Sequence, residues 1–240
     1  MKNSKDHLIV ALDIETWEEA EDLTQKLGDS VTHYKVGSQL FTAYGPDIVL
    51  FLTAQGKKVF LDLKFHDIPN TVANAVSSAV NMATDGGLFM LTLHTLGGHD
   101  MMVKAKEAAI KKSEILNAKR PLIVGITVLT SDENTGNTSQ LVLERARLAQ
   151  KAGLDGIVAS SQEAALIRRE FGKDFIIVTP GIRPRGGDAG DQKRITTPAD
   201  AISNGSSFLV VGRPIVKAED PLQAAEDILK EIEQALHKQS

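Results

Sequence analysis

The sequence predicts a single-domain α/β protein of the (β/α)8, or TIM, barrel class, and three observations carry that reading. Eight short apolar runs rich in Val, Ile, Leu and Phe alternate with longer segments of helical spacing along the whole 240-residue chain. Polar residues stand at the carboxyl ends of nearly every run, where barrel enzymes place their chemistry. No GxGxxG turn follows the first run, which counts against the rival, a doubly wound open sheet.

The first run, residues 8–12, ends in Asp13 and gives way at Thr16 to TWEEAEDL, where a threonine cap precedes glutamates that suit the amino end of a helix. The second run, 34–37, carries Lys35 and is followed by a helical segment from Gly45. The third, 59–63, passes through a charged strand end to a helix from Pro69. The runs at 88–93, 122–128, 156–159, 175–179 and 208–211 are followed by helical segments from Gly98, Ser139, Ser161, Thr197 and Pro221. Nearly continuous apolar strands with helices between them indicate a parallel sheet covered on its outer face. No linker, charge block, low-complexity stretch or internal repeat interrupts the pattern, so one domain over residues 1–240 is the economical reading.

Composition narrows the function classes. The chain has 27 basic and 31 acidic side chains, a net charge of -4 and no cysteine. That balance offers no electrostatic footprint for nucleic acid or an anionic membrane, so an anionic ligand must be caught locally. Without cysteine there is no disulfide framework, thiolate metal site or cysteine nucleophile. The amino terminus lacks a signal-peptide core and no run reaches the ~20 residues of a membrane span, so a cytoplasmic protein is expected.

The most informative stretch is VFLDLKFHDIP, residues 59–69. Strand alternation puts Asp62, Lys64 and His66 on one face and Leu61, Leu63 and Phe65 on the other, and in a barrel the charged face looks inward. A buried Asp/Lys pair must be mutually compensating and further hydrogen-bonded. On its own the D-x-K spacing is also that of a structural ion pair closing the barrel top. Asp13 and Lys35, at the ends of the two preceding strands, add a second acid and base at the same rim. The four make a Lys/Asp array that can hold lysines protonated while destabilising an added substrate anion.

A second constellation lies late in the chain. TPGIRP at 179–184 ends strand seven and VVGRPI at 210–215 ends strand eight, the two loops that commonly hold phosphate in barrels. Gly181 and Gly212 let backbone amides approach an anion, and Arg183 and Arg213 offer planar donor forks, although each motif alone is also ordinary turn chemistry. Between them the glycine-rich segment 185–194 has the composition of a lid or of a plain surface loop, with Gln192 able to reach back to phosphate. His66 and His94 do not make a metal site: no H-x-H pair or HExxH helix supports one, and the lysines oppose a cation. Nor is there a G-x-S-x-G elbow for a serine triad.

The motifs DLKFHDIP (62–69), LTS (129–131), PGIR (180–183), DQ (191–192) and VGRPI (211–215) together resemble the orotidine 5'-phosphate decarboxylase family, in the right order and over essentially the whole chain. The resemblance implies conversion of orotidine 5'-monophosphate to uridine 5'-monophosphate and carbon dioxide in pyrimidine synthesis, with no cofactor and no metal. It makes Lys64 the proton donor to pyrimidine C6 and sets Asp62 against the departing carboxylate. Lys35 and Asp67 complete the array, with Asp67 and Thr71 reaching the site of a partner subunit in a homodimer. Asp13 and Lys35 meet ribose hydroxyls, Thr130 borders the pyrimidine, and Arg183, Gln192, Gly212 and Arg213 bind phosphate. Two other readings reuse these residues: a magnesium-dependent keto-sugar-phosphate decarboxylase or lyase of the same barrel group, which would lose activity in chelator, and a phosphometabolite sensor that binds without turnover.

Overall fold

The computed structural model describes residues 3–82, 86–128, 138–184 and 196–238. Eight parallel strands close on themselves in chain order: β1 (Leu8–Ala11), β2 (His33–Gly37), β3 (Lys58–Phe65), β4 (Leu88–His94), β5 (Leu122–Ile126), β6 (Gly156–Val158), β7 (Ile176–Thr179) and β8 (Phe208–Val211). The seam is made by β8 pairing back onto β1, Leu8 with Leu209 through Val10 with Val211. Each expected apolar run is thus a strand, with ends that move by a few residues at most, and the barrel rather than the open sheet is the architecture.

Alternation sorts the side chains into two cores. Leu8, Val10, Val59 and Leu61 face outward and pack under the helices, while Ile9, Ala11, Phe60, Met90, Val124, Val178 and Val210 fill the barrel interior. Full burial of each large aliphatic side chain contributes about 1.5–3 kcal/mol against the entropy of ordering the chain. At the amino ends of the strands the rings of His33, Phe89 and Phe208 meet edge to face as a plug, with centroids 4.7 Å apart for His33 and Phe89 and 5.2 Å for Phe89 and Phe208. These rings close that end of the barrel, opposite the charged strand ends.

Around the sheet run α1 (Trp17–Leu27), α2 (Ser38–Tyr44), α3 (Asp47–Ala54), α4 (Pro69–Met82), α5 (Gly98–Leu116), α6 (Thr138–Lys151), α7 (Ser161–Phe171), α8 (Pro198–Ser203), the single turn α9 (Arg213–Val216) and α10 (Pro221–His237). Thr16 caps α1 as expected, in a full capping box with Glu19. One expectation is extended: the helix foreseen from Gly45 is α3, and a further short helix, α2, precedes it. Gly45 takes a left-handed φ of 59° and its N–H closes α2 onto Phe41, after which Pro46 starts a new direction. No helix among the described residues is long and apolar enough to cross a membrane.

Candidate active site

The charged residues expected at the strand ends meet at the open mouth of the barrel. Lys35 Nζ lies 2.9 Å from Asp13 Oδ1 and 3.7 Å from Asp62 Oδ2, and Lys64 Nζ lies 2.8 Å from Asp62 Oδ2. The order Asp13, Lys35, Asp62, Lys64 alternates in sign, so each inner member has an opposite charge on both sides and the four sum to zero. Lys35 and Asp62 are each only 11% exposed at the side chain, whereas Lys64 keeps 37% and can meet a ligand.

A carboxylate buried as deeply as Asp62 needs more than one partner. It receives the Lys64 ammonium on Oδ2 and the hydroxyl of Thr92 on Oδ1 at 2.9 Å. Thr92 lies on β4, is fully buried, and also accepts the backbone N–H of Lys64 at 2.9 Å. Reading strands for apolar runs passes over this residue. Its one signal is a hydroxyl at an interior position of the run LFMLTLH, where burial demands a partner.

The structure corrects the simple alternation expected along β3. Asp62 faces inward, but Lys64 has φ 53° and the pairing with β4 shifts register between Leu61 and Phe65. The lysine reaches Asp62 from a bulge, and His66 lies beyond the strand, exposed, with its ring 5.5 Å from that of His94. Burial, followed by the positive neighbourhood of His66, Lys64 and Arg145, holds His94 below the usual histidine range, so it is a neutral group beside the array at neutral pH.

The array opens into a cavity of about 190 Å³ lined on one side by Lys35, Asp62 and Lys64 and on the other by apolar groups including Ile126, Val158 and Val178. The cavity therefore has one charged wall and one apolar wall. The glycines at the rim make room: a Cβ on Gly37 would lie 3.1 Å from Lys35 Nζ, and one on Gly212 would lie 3.4 Å from Asp13 Oδ2.

The remaining expected residues are distributed around this mouth. Gly212 ends β8 half-buried and Arg213 begins α9 exposed. Arg183 is 7% exposed and its guanidinium donates to the Ile182 carbonyl at 2.8 Å. An Ile182–Thr196 bridge joins the two flanks of the 185–195 segment. Asp67 and Thr71 lie on the β3–α4 connection and the first turn of α4, both exposed; Asp67 accepts the Ile68 N–H at 2.6 Å. Thr130 and Gln192, and with them the expected lid, lie outside the described residues. Among the described residues there is no group of three or more His, Asp and Glu side chains arranged to hold a metal ion.

Comparison with known proteins gives this geometry its context. Residues 6–228 match the family described as Orotidine 5'-phosphate decarboxylase / HUMPS. The chain is 48% identical over 229 residues to an orotidine 5'-phosphate decarboxylase of Hydrogenovibrio crunogenus, covering 92% of this chain and 93% of that one. It is 47% identical over 239 residues to the protein of the same name from Syntrophotalea carbinolica, covering 96% of each. Among solved structures, orotidine 5'-phosphate decarboxylase from Lactobacillus acidophilus superimposes with a TM-score of 0.82 at 38% identity, over 95% of this chain and 99% of that one.

Proposed function

Because this chain belongs to the Orotidine 5'-phosphate decarboxylase / HUMPS family, we propose that it decarboxylates orotidine 5'-monophosphate to uridine 5'-monophosphate, a carboxy-lyase step of pyrimidine synthesis. The observation that carries the reading is the Asp62–Lys64 contact of 2.8 Å at the mouth of a half-apolar cavity. Loss of carbon dioxide from C6 breaks a carbon–carbon bond and leaves its electron pair on a ring carbon that delocalises it poorly. A fixed ammonium beside that carbon stabilises the developing charge and supplies the proton that replaces the carboxylate. Lys64 plays both parts, ending as a neutral amine that is reprotonated from solvent.

Asp62 holds that ammonium and faces the substrate carboxylate, where like charge destabilises the bound acid but not the departing neutral carbon dioxide. Lys35 and Asp13, paired at 2.9 Å, meet the ribose hydroxyls. The phosphate is taken by Gly212, Arg213, Arg183 and Gln192, and Thr130 borders the pyrimidine. Binding the phosphate far from the reacting carbon then contributes to lowering the barrier. No metal or cofactor takes part.

The active unit in this reading is a homodimer. Asp67 and Thr71 are exposed on either side of the start of α4, beside Ile68, which is itself 67% exposed, so all three are accessible to a partner. Across that interface Asp67 joins the partner's array.

Loss of orotidine 5'-monophosphate absorbance, measured with and without a chelator, tests the proposal. Turnover unaffected by chelator is expected. Turnover of a keto-sugar phosphate that chelator abolishes would assign the array to magnesium-dependent chemistry instead, and saturable nucleotide binding without turnover would make the protein a sensor.

A further inference from the structure

The β3–β4 pairing contains an irregularity centred on one residue. Leu61 pairs with Leu91 and Phe65 with Leu93, so three residues of β3, Asp62, Leu63 and Lys64, stand opposite Thr92 alone. A bulge of this kind leaves backbone groups without their ladder partners, and here the orphaned N–H of Lys64 is received by the Thr92 hydroxyl at 2.9 Å. Lys64 has φ 53°, a left-handed conformation that residues other than glycine rarely adopt.

A hydroxyl has one proton to give, and because the Thr92 oxygen accepts from Lys64 that proton is directed to Asp62 Oδ1, 2.9 Å away. Asp62 Oδ2 in turn receives the Lys64 ammonium at 2.8 Å. The three hydrogen bonds form a ring that leaves Lys64 by its backbone and returns to it by its side chain. Thr92 is fully buried, so both bonds are made at the threonine out of reach of solvent on that side.

We infer that Thr92 is a positioning residue for the reaction: it holds the β3 bulge and the Asp62 carboxylate together, and so sets where the Lys64 ammonium stands. This role rests on the decarboxylase reading. Thr92 itself touches no substrate. A side chain of the same volume without the hydroxyl leaves the packing intact but removes the means of holding Lys64 left-handed. The ammonium is then free to swing away from the reacting carbon.

The test compares Thr92→Val, which keeps shape, with Thr92→Ser, which keeps the hydroxyl. The valine variant is expected to lose about 10- to 100-fold in kcat, the range that corresponds to a hydrogen bond to a charged group, with its affinity for uridine 5'-monophosphate held within about twofold. The serine variant should return to within about threefold of the parent. A folded valine variant with parental kcat overturns the inference, as does a serine variant as poor as the valine one. Should valine not fold, Thr92→Ala is read in the same way. A crystal structure of the valine or alanine variant decides the geometry separately: a left-handed Lys64 still 2.8 Å from Asp62 rejects the positioning role whatever the substrate proves to be. Failure of the parent chain to decarboxylate orotidine 5'-monophosphate instead counts against the functional reading.

Discussion

Gly37 leaves open the space in which the Lys35 ammonium sits: a Cβ at residue 37 would lie 3.1 Å from Lys35 Nζ. The atom that must give way is the end of a flexible side chain and the backbone at Gly37 has no positive φ, so alanine fits the fold. What it disturbs is the 2.9 Å contact between Lys35 and Asp13. Gly37→Ala should therefore keep the melting temperature of the parent while kcat/KM falls roughly tenfold, the penalty of a displaced charge in a pre-aligned site. Parental kcat/KM in this variant would show that Lys35 works without its present position.

Lys64 offers a test in which stability and activity separate. Both Lys64→Ala and Lys64→Gly remove the proposed proton donor and should lose at least about 10³-fold in turnover. Both also lose the ion pair with Asp62, so the difference in stability between them reports the left-handed backbone at φ 53°. Glycine ordinarily weakens a strand relative to alanine. Here the glycine variant should be the more stable by about 1 kcal/mol in chemical denaturation. An alanine variant of equal or greater stability would mean that the bulge relaxes when the lysine is gone.

The proposed sharing of the site between two subunits predicts complementation. Lys64→Ala and Asp67→Ala should each be nearly inactive as homodimers. In a mixed dimer, one pocket contains both substitutions and the other neither, so activity should rise toward about half of the parental value per heterodimer. No recovery after confirmed subunit exchange would place Asp67 in the service of its own chain.

At the closed end of the barrel, His33 predicts an acid-sensitive fold. Burial, reinforced by Lys58 and opposed by Asp6, lowers its pKa from 6.5 to about 4. Between those values the unfolded chain binds a proton that the folded one refuses, so stability is complete above pH 6.5 and falls as the pH drops toward 4. At about 1.4 kcal/mol per pH unit the full loss is roughly 3 kcal/mol. In His33→Gln, unfolding free energy measured from pH 7 to 4 should decline less steeply by about this amount; parallel curves would remove His33 as the cause.

Much of this molecule is legible in its sequence because the signals are local and repeated. Apolar runs of strand length recur with helical segments between them, and each run loses its apolar character at the end where chemistry sits, which places Asp13, Lys35, Asp62 and Lys64 at one rim from the sequence alone. What escapes is non-local. The bulge in β3 depends on Leu61 pairing with Leu91 and Phe65 with Leu93, a register that no periodicity along a single strand contains. The part played by Thr92 comes from that register and is hidden with it. The helix start at Gly45-Pro46 is legible, but the seven-residue α2 before it, scarcely two turns long, is too short to show a helical period.

The seam between β1 and β8 has a consequence for how the site comes into being during synthesis. Asp13 and Gly212 are separated by nearly the whole chain, yet a Cβ at Gly212 would be 3.4 Å from the Asp13 carboxylate, and β1 and β8 are hydrogen-bonded neighbours. A ribosome delivers the four charged residues within the first 64 positions and the loops proposed to bind phosphate only after residue 179. A nascent chain thus has the proposed proton donor long before it has the proposed anchor for the nucleotide, and the two halves are united only when the last strand takes its place beside the first.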